Sequence, residues 1–314
     1  MRNNQAFTRI LLLAAILSMA ALPVVATPVA EGKGPITVAS KIDTEGALLG
    51  NMIVQLLANG GFDVVDSTEF GTTDVIRRAI FNDEIDIYPE YTGNGGFFFP
   101  GTESSLWQNA TTAYQTVKEY DFRENNIVWL QPAPANNTWA VAIRQDVAQA
   151  EGLVTLEDFA DFVNAGGTVK LAGSEEFVSR PDALPSFEEA YGFNLSDDQL
   201  LILSGGNTAT TIQAAARQTD GVNTAMAYGT DGALAALGLV VMRDSLGVQP
   251  VYEPAPIVRA EILDEYPEIA GLLEPVFRTL SLETLQGLNA KIAVDGLPAA
   301  DVARDYLVEN GFIN

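Results

Sequence analysis

The sequence predicts an α/β protein of two lobes, each a parallel-rich sheet flanked by helices, with a ligand cleft between them. Three observations predict it. Short β-like runs alternate with amphipathic helical runs in a βαβαβ rhythm, which favours strands joined through crossover helices. One stretch of the first half is echoed in the second. Aromatic residues recur where β-like runs end beside Gly, Asn or Pro.

In chain order, ITVAS (36–40) is a strand. A helix follows from Thr44, with Leu48, Leu49, Met52, Ile53, Leu56 and Leu57 at helical spacing, and Gly60 and Gly61 stop it. FDVVD is the next strand, TTDVIRRAIFNDE a helix and DIYPEY a strand. Ligands of such sheets gather beyond the carboxyl ends of strands, where YTGNG lies. In the second half TWAVAIRQD is a strand, TLEDFADFVNAGG a helix opened by Thr155, and TVKLAG a strand. TATTIQAAARQ then reads as a helix, NTAMAYG and LVVMRD as strands, and the chain from Ala260 as mostly helix.

The echo pairs GTTDVIRRAIFNDEIDIYPEYTGNG with NTATTIQAAARQTDGVNTAMAYGTDG. In both, threonines open a helix and the following strand ends in a tyrosine and a glycine turn. The step is 18 positions from Thr73 to Tyr91 and 17 from Thr211 to Tyr228. Two lobes of related design would set these tyrosines on facing walls. The expected lobes are 35–136 with 248–314, and 137–247.

The 314 residues carry 41 acidic and 17 basic side chains and no histidine. A net charge of −24 argues against nucleic acid and anionic membrane surfaces as partners. Residues 1–26 read as a cleavable signal peptide: Arg2 and Arg9, an apolar run from Ile10, and small residues up to Ala26. With no cysteine there is neither a disulfide nor a lipoprotein anchor. The expectation is a diffusing periplasmic protein without a stable membrane anchor, and a monomer.

Without histidine or cysteine the usual nucleophilic triads and zinc sites cannot be built. GNGG (93–96) lacks the lysine of a phosphate loop. Carboxylates such as Asp83 and Asp86, or Glu188 and Glu189, fit a solvated acidic face better than a catalytic pair. No cofactor, metal or enzymatic activity is expected; an exported carboxylate-dependent hydrolase is the reading from another class. Tyr91, Trp139, Tyr228 and Tyr252 instead offer rings at strand ends, suited to a cation with no hydrogen to donate. Lys41 ends the first strand and Arg180 lies in EEFVSRPDALP, read as a turn. Either could hold a carboxylate, although Arg180 could equally pair with Glu175, Glu176 or Asp182.

These residues lie in VASKIDTEGALLGNMI, DIYPEYTGNGGFFF, PAPANNTWAVAIRQDVA, GSEEFVSRPDALPSFEEAYGF, AMAYGTDGALAALGL and GVQPVYEPAPIVR. Together, and in that order, they resemble the substrate-binding proteins of ABC importers for glycine betaine and other quaternary amines, in particular the osmoprotectant-binding OsmF (YehZ) branch. The resemblance implies the two-lobe periplasmic binding protein fold (type II), closure on a small quaternary amine, and delivery to ABC-transporter permease subunits. It assigns the ligand to Lys41, Tyr91, Trp139, Arg180, Tyr228 and Tyr252. Asn94 stands where the family's turn carries a threonine, and Trp139 where many members have tyrosine. Choline or carnitine in the same cleft remains the alternative ligand. The three phenylalanines after Gly96 are expected to pack lobe one, and the glycines before them to let the backbone approach the ligand. Lack of histidine suggests binding that varies little between pH 6 and 8.

Overall fold

The computed structural model describes residues 32–205 and 207–314, so the signal peptide expected at 1–26 lies outside the described residues. The strands are β1 (Lys33–Lys41), β2 (Phe62–Gly71), β3 (Ile87–Tyr91), β4 (Ile127–Trp129), β5 (Trp139–Arg144), β6 (Leu171–Ser174), β7 (Leu200–Leu203), β8 (Thr224–Tyr228), β9 (Leu239–Val241) and β10 (Pro254–Arg259). They form two five-stranded sheets of order β2-β1-β3-β10-β4 and β7-β6-β8-β5-β9. The chain leaves the first sheet after β4, builds the whole second sheet, and returns as β10.

Both sheets use one plan. Three strands run parallel, the last of them, β3 or β8, being the central strand of its sheet. The central strand then pairs antiparallel with β10 or β5, which pairs antiparallel with a short edge strand. Each sheet is therefore mixed, with one reversed strand. The internal echo has a structural counterpart, because helix Thr73–Phe81 leads to β3 as helix Thr208–Ala216 leads to β8.

Helix Thr44–Asn59 starts where Asp43 caps it, accepting the Gly46 N–H at 2.8 Å. Its apolar stripe is buried with Ile269, Leu273, Phe277 and Leu307 from the C-terminal helices, against Ile36, Val38 and Ile87 of the first sheet. The opposite face of that sheet carries Ala39, Tyr88 and Ile257 with Trp107 and Trp129. The second sheet alternates likewise, Val141 and Ile143 on one face and Ala142 on the other. Arg77 and Asp121 form a buried pair under the first sheet, and Asp121 also accepts the Trp129 indole N–H at 2.7 Å.

The sequence marks Tyr252 as a strand end but gives no range for β10, where Pro254 and Pro256 look like strand breakers. The surroundings remove the objection: Pro254 and Pro256 turn toward the β4 side, accepting from Ala133 and Leu130, and β4 pairs only with Ile257 to Arg259, beyond both prolines. Two boundaries also differ. TWAVAIRQD turns helical at Gln145, and EEFVS is a short helix, Glu175–Ser179, rather than a turn. Among the described residues no helix is long and apolar enough to cross a membrane.

Candidate functional site

The carboxyl ends of the central strands converge on one cavity between the sheets. Its atom-free volume is about 460 Å³, part of it open to solvent. All seven residues singled out in the sequence line it: Lys41, Tyr91, Asn94, Trp139, Arg180, Tyr228 and Tyr252. Tyr228 is half-buried and the other six are buried.

Strand pairing places the rings. Tyr91 is the last residue of β3, Tyr228 the last of β8, and Trp139 the first of β5, directly opposite Tyr228. Tyr252 precedes β10, its backbone held by Asn137 N–H to its carbonyl (2.8 Å) and by its own N–H to Asn136 Oδ1 (2.9 Å). Trp139 is the centre of the group. Its ring lies 6.4 Å from Tyr228 at an interplanar angle of 18°, 5.8 Å from Tyr252, and 5.9 Å edge-on from Phe177. The Arg180 guanidinium covers part of it at 4.5 Å, so the protein's own cation already uses some of that π surface.

Both cations have protein partners. Lys41 Nζ donates to Glu90 at 2.7 Å and sits 4.8 Å from the Tyr91 ring. Glu90 is fully buried and also accepts Tyr91 N–H (2.7 Å), Asn94 Nδ2 (2.7 Å) and Tyr88 OH (3.0 Å). Burial alone would push this carboxyl up, but the Lys41 charge and these bonds prevail and hold it below its ordinary range. Arg180 grips Asp182 through Nε and Nη2, both at 2.7 Å, and Glu176 through Nη1 at 2.9 Å. Its Nη2 also reaches Asn94 Oδ1 at 3.0 Å. The pairing with Glu176 and Asp182 considered from the sequence is therefore present. Lys41 keeps two further N–H bonds for another acceptor, whereas Arg180 has most of its five donors engaged.

Two residues that sequence reasoning passed over, Asp43 and Asn137, line the cavity, as does Glu176. Burial pushes the Asp43 carboxyl up, only partly offset by Gly46 N–H and Lys41. Trp139 Nε1 and Asn137 Oδ1 are buried without a hydrogen-bond partner among the described residues. Asn137 had a signal: it lies two residues before Trp139, hence on the same side of an extended chain.

The glycines after Tyr91 are required by the packing of the protein itself, whatever approaches from the cleft. A Cβ on Gly95 would stand 2.2 Å from the Trp107 ring, and one on Gly93 would stand 2.9 Å from the Tyr252 ring. Lack of histidine does not by itself remove every titratable group from the range between pH 6 and 8. Burial pushes two carboxyls, Glu45 and Asp231, up to about 7. Of the phenylalanines, Phe98 stacks on Arg77 (4.1 Å) and Phe99 packs on Tyr120 (5.5 Å), whereas Phe97 lies against the Arg180 guanidinium at 4.4 Å without lining the cavity.

Comparison with known proteins agrees with this architecture. Residues 34–309 match the family described as the substrate binding domain of ABC-type glycine betaine transport system. The chain is 55% identical over 295 residues to the glycine betaine-binding protein YehZ of Escherichia coli K12, covering 94% of this chain and 96% of that one. The solved structure of apo YehZ from E. coli aligns with a TM-score of 0.65 at 57% identity, over 89% of this chain and 99% of that one. Lactococcal OpuAC, closed on glycine betaine, aligns with a TM-score of 0.60 over 90% of this chain and all of its own, and at 14% identity it shares the fold alone. Two mixed sheets with helices on their faces and a cavity between them make the type II periplasmic binding protein fold, and the chain belongs to the family of substrate-binding domains of ABC-type glycine betaine transporters.

Proposed function

We propose that this protein binds glycine betaine or a closely related quaternary amine between its two lobes and presents it to the permease of an ABC importer. The observation that carries the reading is one cavity lined by Tyr91, Trp139, Tyr228 and Tyr252 together with the carboxylates Asp43 and Glu176. A trimethylammonium group has no hydrogen to donate, so π faces and nearby negative charge are what can hold it. Each desolvated face contributes about 1–2 kcal/mol. Lys41, with its spare N–H bonds, suits the ligand's carboxylate, and the unpaired Trp139 indole N–H offers a second donor.

The lobes are residues 35–136 with 248–314, and 137–247. Tyr91, Asn94, Lys41 and Tyr252 come from the first and Trp139, Arg180 and Tyr228 from the second, so the ligand favours the closed form by touching both. The reading involves no covalent step and no cofactor. It places a monomer in the periplasm, exported by the leader at 1–26.

A thermal-shift and tryptophan-fluorescence panel of glycine betaine, proline betaine, carnitine and choline tests this. Glycine betaine should raise the melting temperature and change the emission, because Trp139 lines the site. A response to choline or carnitine with none to glycine betaine would move the assignment to that ligand. No response to any of the four would end it.

A further inference from the structure

Glu45 does not line the cavity, yet the cavity's rings are tied to it. It lies in the first turn of helix Thr44–Asn59, is 3% exposed, and forms no ion pair among the described residues. Its carboxylate accepts Tyr91 OH at 3.0 Å and Asn137 Nδ2 at 2.9 Å on one oxygen, and Asn289 Nδ2 at 2.8 Å on the other. These donors come from β3, the segment entering β5, and helix Leu282–Ala293.

Each donor leads to a ring. Tyr91 is bonded directly. Asn137 lies two residues before Trp139 and donates its backbone N–H to the Tyr252 carbonyl at 2.8 Å. Asn289 Nδ2 also reaches the carbonyl of Thr230 at 3.2 Å, two residues beyond Tyr228. Next to it Gln286 Nε2 holds the Gly229 carbonyl at 2.9 Å. The helix sits so close to this turn that a Cβ on Gly232 would stand 1.9 Å from the Gln286 carbonyl oxygen. One carboxylate thus connects Tyr91 of the first sheet to the segments that carry Trp139, Tyr252 and Tyr228.

We propose that Glu45 is the positioning residue of this site: its ionised carboxylate holds the four rings in register across the two sheets and makes ligand affinity depend on pH. As regards the ligand, this rests on the function proposed above. Three donors converge on one carboxyl group, an arrangement that suits the ionised form, which is acceptor-only on both oxygens. A proton on Glu45 turns one oxygen into a donor facing an amide N–H, and that bond is lost. The surroundings leave the charge without a cation. Asp43 caps the same helix, Tyr91 comes from β3, and β1 brings Lys41, which is bonded to Glu90. Helix Leu282–Ala293 and the segment before β5 bring the neutral amides of Asn289 and Asn137, and the turn after β8 brings Thr230 and Asp231. Burial, with Asp43 nearby, pushes the Glu45 carboxyl up to about 7. The site's geometry therefore changes within the neutral range.

Titration calorimetry with glycine betaine at pH 6, 7 and 8 tests the proposal on wild type, Glu45→Gln and Tyr91→Phe. Wild-type affinity should rise about fivefold to tenfold from pH 6 to 8, the change that about one unit of coupled pKa shift produces. Glu45→Gln should bind at least tenfold more weakly at pH 8 and be flat with pH. Tyr91→Phe keeps its ring but deprives the carboxylate of a donor, so its pH midpoint should move upward. Equal affinity and an equal pH profile in wild type and Glu45→Gln would overturn the assignment. If Glu45→Gln fails to fold, Asn289→Ala takes its place; it spares the bonds to Tyr91 and Asn137 but cuts the link to Thr230. It should bind several-fold more weakly with a raised midpoint, and unchanged binding would equally overturn the proposal. A ligand-free arm separates the two readings. Tryptophan emission of the free protein should show a transition near pH 7 that survives Asp231→Asn and is lost in Glu45→Gln. If no quaternary amine binds but this transition appears as described, the ligand reading fails and the positioning role stands; a transition unchanged by Glu45→Gln removes that role.

Discussion

Trp139→Ala should weaken glycine betaine binding at least a hundredfold, a loss of about 2.7 kcal/mol. Trp139 lies within 6.5 Å of Tyr228, Tyr252 and Phe177 at once, and Arg180 rests on its surface. Indole presents the strongest π face of the aromatic side chains, about 2 kcal/mol toward a desolvated cation. Removing it also frees Tyr228 and Tyr252 to collapse into the space and unseats the guanidinium, so the loss exceeds a single contact. Trp139→Phe keeps a face and should cost about tenfold. Calorimetry checks both, with circular dichroism establishing that the variants fold. Affinity of Trp139→Ala within threefold of wild type would mean that the ligand binds away from this ring.

A second large effect concerns the ligand-free protein. Its stability should be greatest near pH 5 and fall by about 3 kcal/mol or more by pH 8. Glu45 moves from 4.5 to about 7 and Asp231 from 3.8 to about 7, burial being the main cause in each. A carboxyl whose folded pKa is raised holds its proton more firmly in the native state. Its contribution to stability is complete below the unfolded pKa and is lost as pH rises through the folded one. For these two groups the loss runs from about pH 4 to 7. Glu90, held low by Lys41 and its neighbours, acts oppositely, but its window lies at more acid pH. Differential scanning calorimetry from pH 5 to 8 measures the fall as a melting temperature lower by several degrees. The double variant Glu45→Gln with Asp231→Asn should lack it. A wild-type melting temperature constant over that range would show that neither carboxyl is strained by its burial. The sign is opposite to that expected for ligand affinity, which grows as Glu45 ionises.

The elements of this fold were largely legible because their signals are local. Helix Thr44–Asn59 announces itself by an apolar stripe and a glycine stop, and β5 by a short run of Trp, Val and Ile that the sheet buries on both faces. Helix Leu156–Asn164 is opened by the Thr155 capping box with Asp158. The failures were equally physical. The strand Pro254–Arg259 is permitted because both prolines turn away from β3 toward a side where β4 pairs only with Ile257 to Arg259, and register is a property of the paired strands. The short helix Glu175–Ser179 was hidden by its length.

The site divides in the same way. Tyr91, Trp139, Tyr228 and Tyr252 could be found one at a time, since each is an aromatic residue at the end of a β-like run, and the resemblance of the whole chain to a known family named the same positions. Composition alone set the absence of histidine and cysteine and the strong negative charge. What each polar group does was decided only on folding. Arg180 and Lys41 meet carboxylates of their own chain, and Glu45 draws donors from residues 46, 92 and 244 positions away. Helical and strand periodicity act over a few residues, whereas a buried charge is satisfied by whichever groups the packed sheets bring within 3 Å of it.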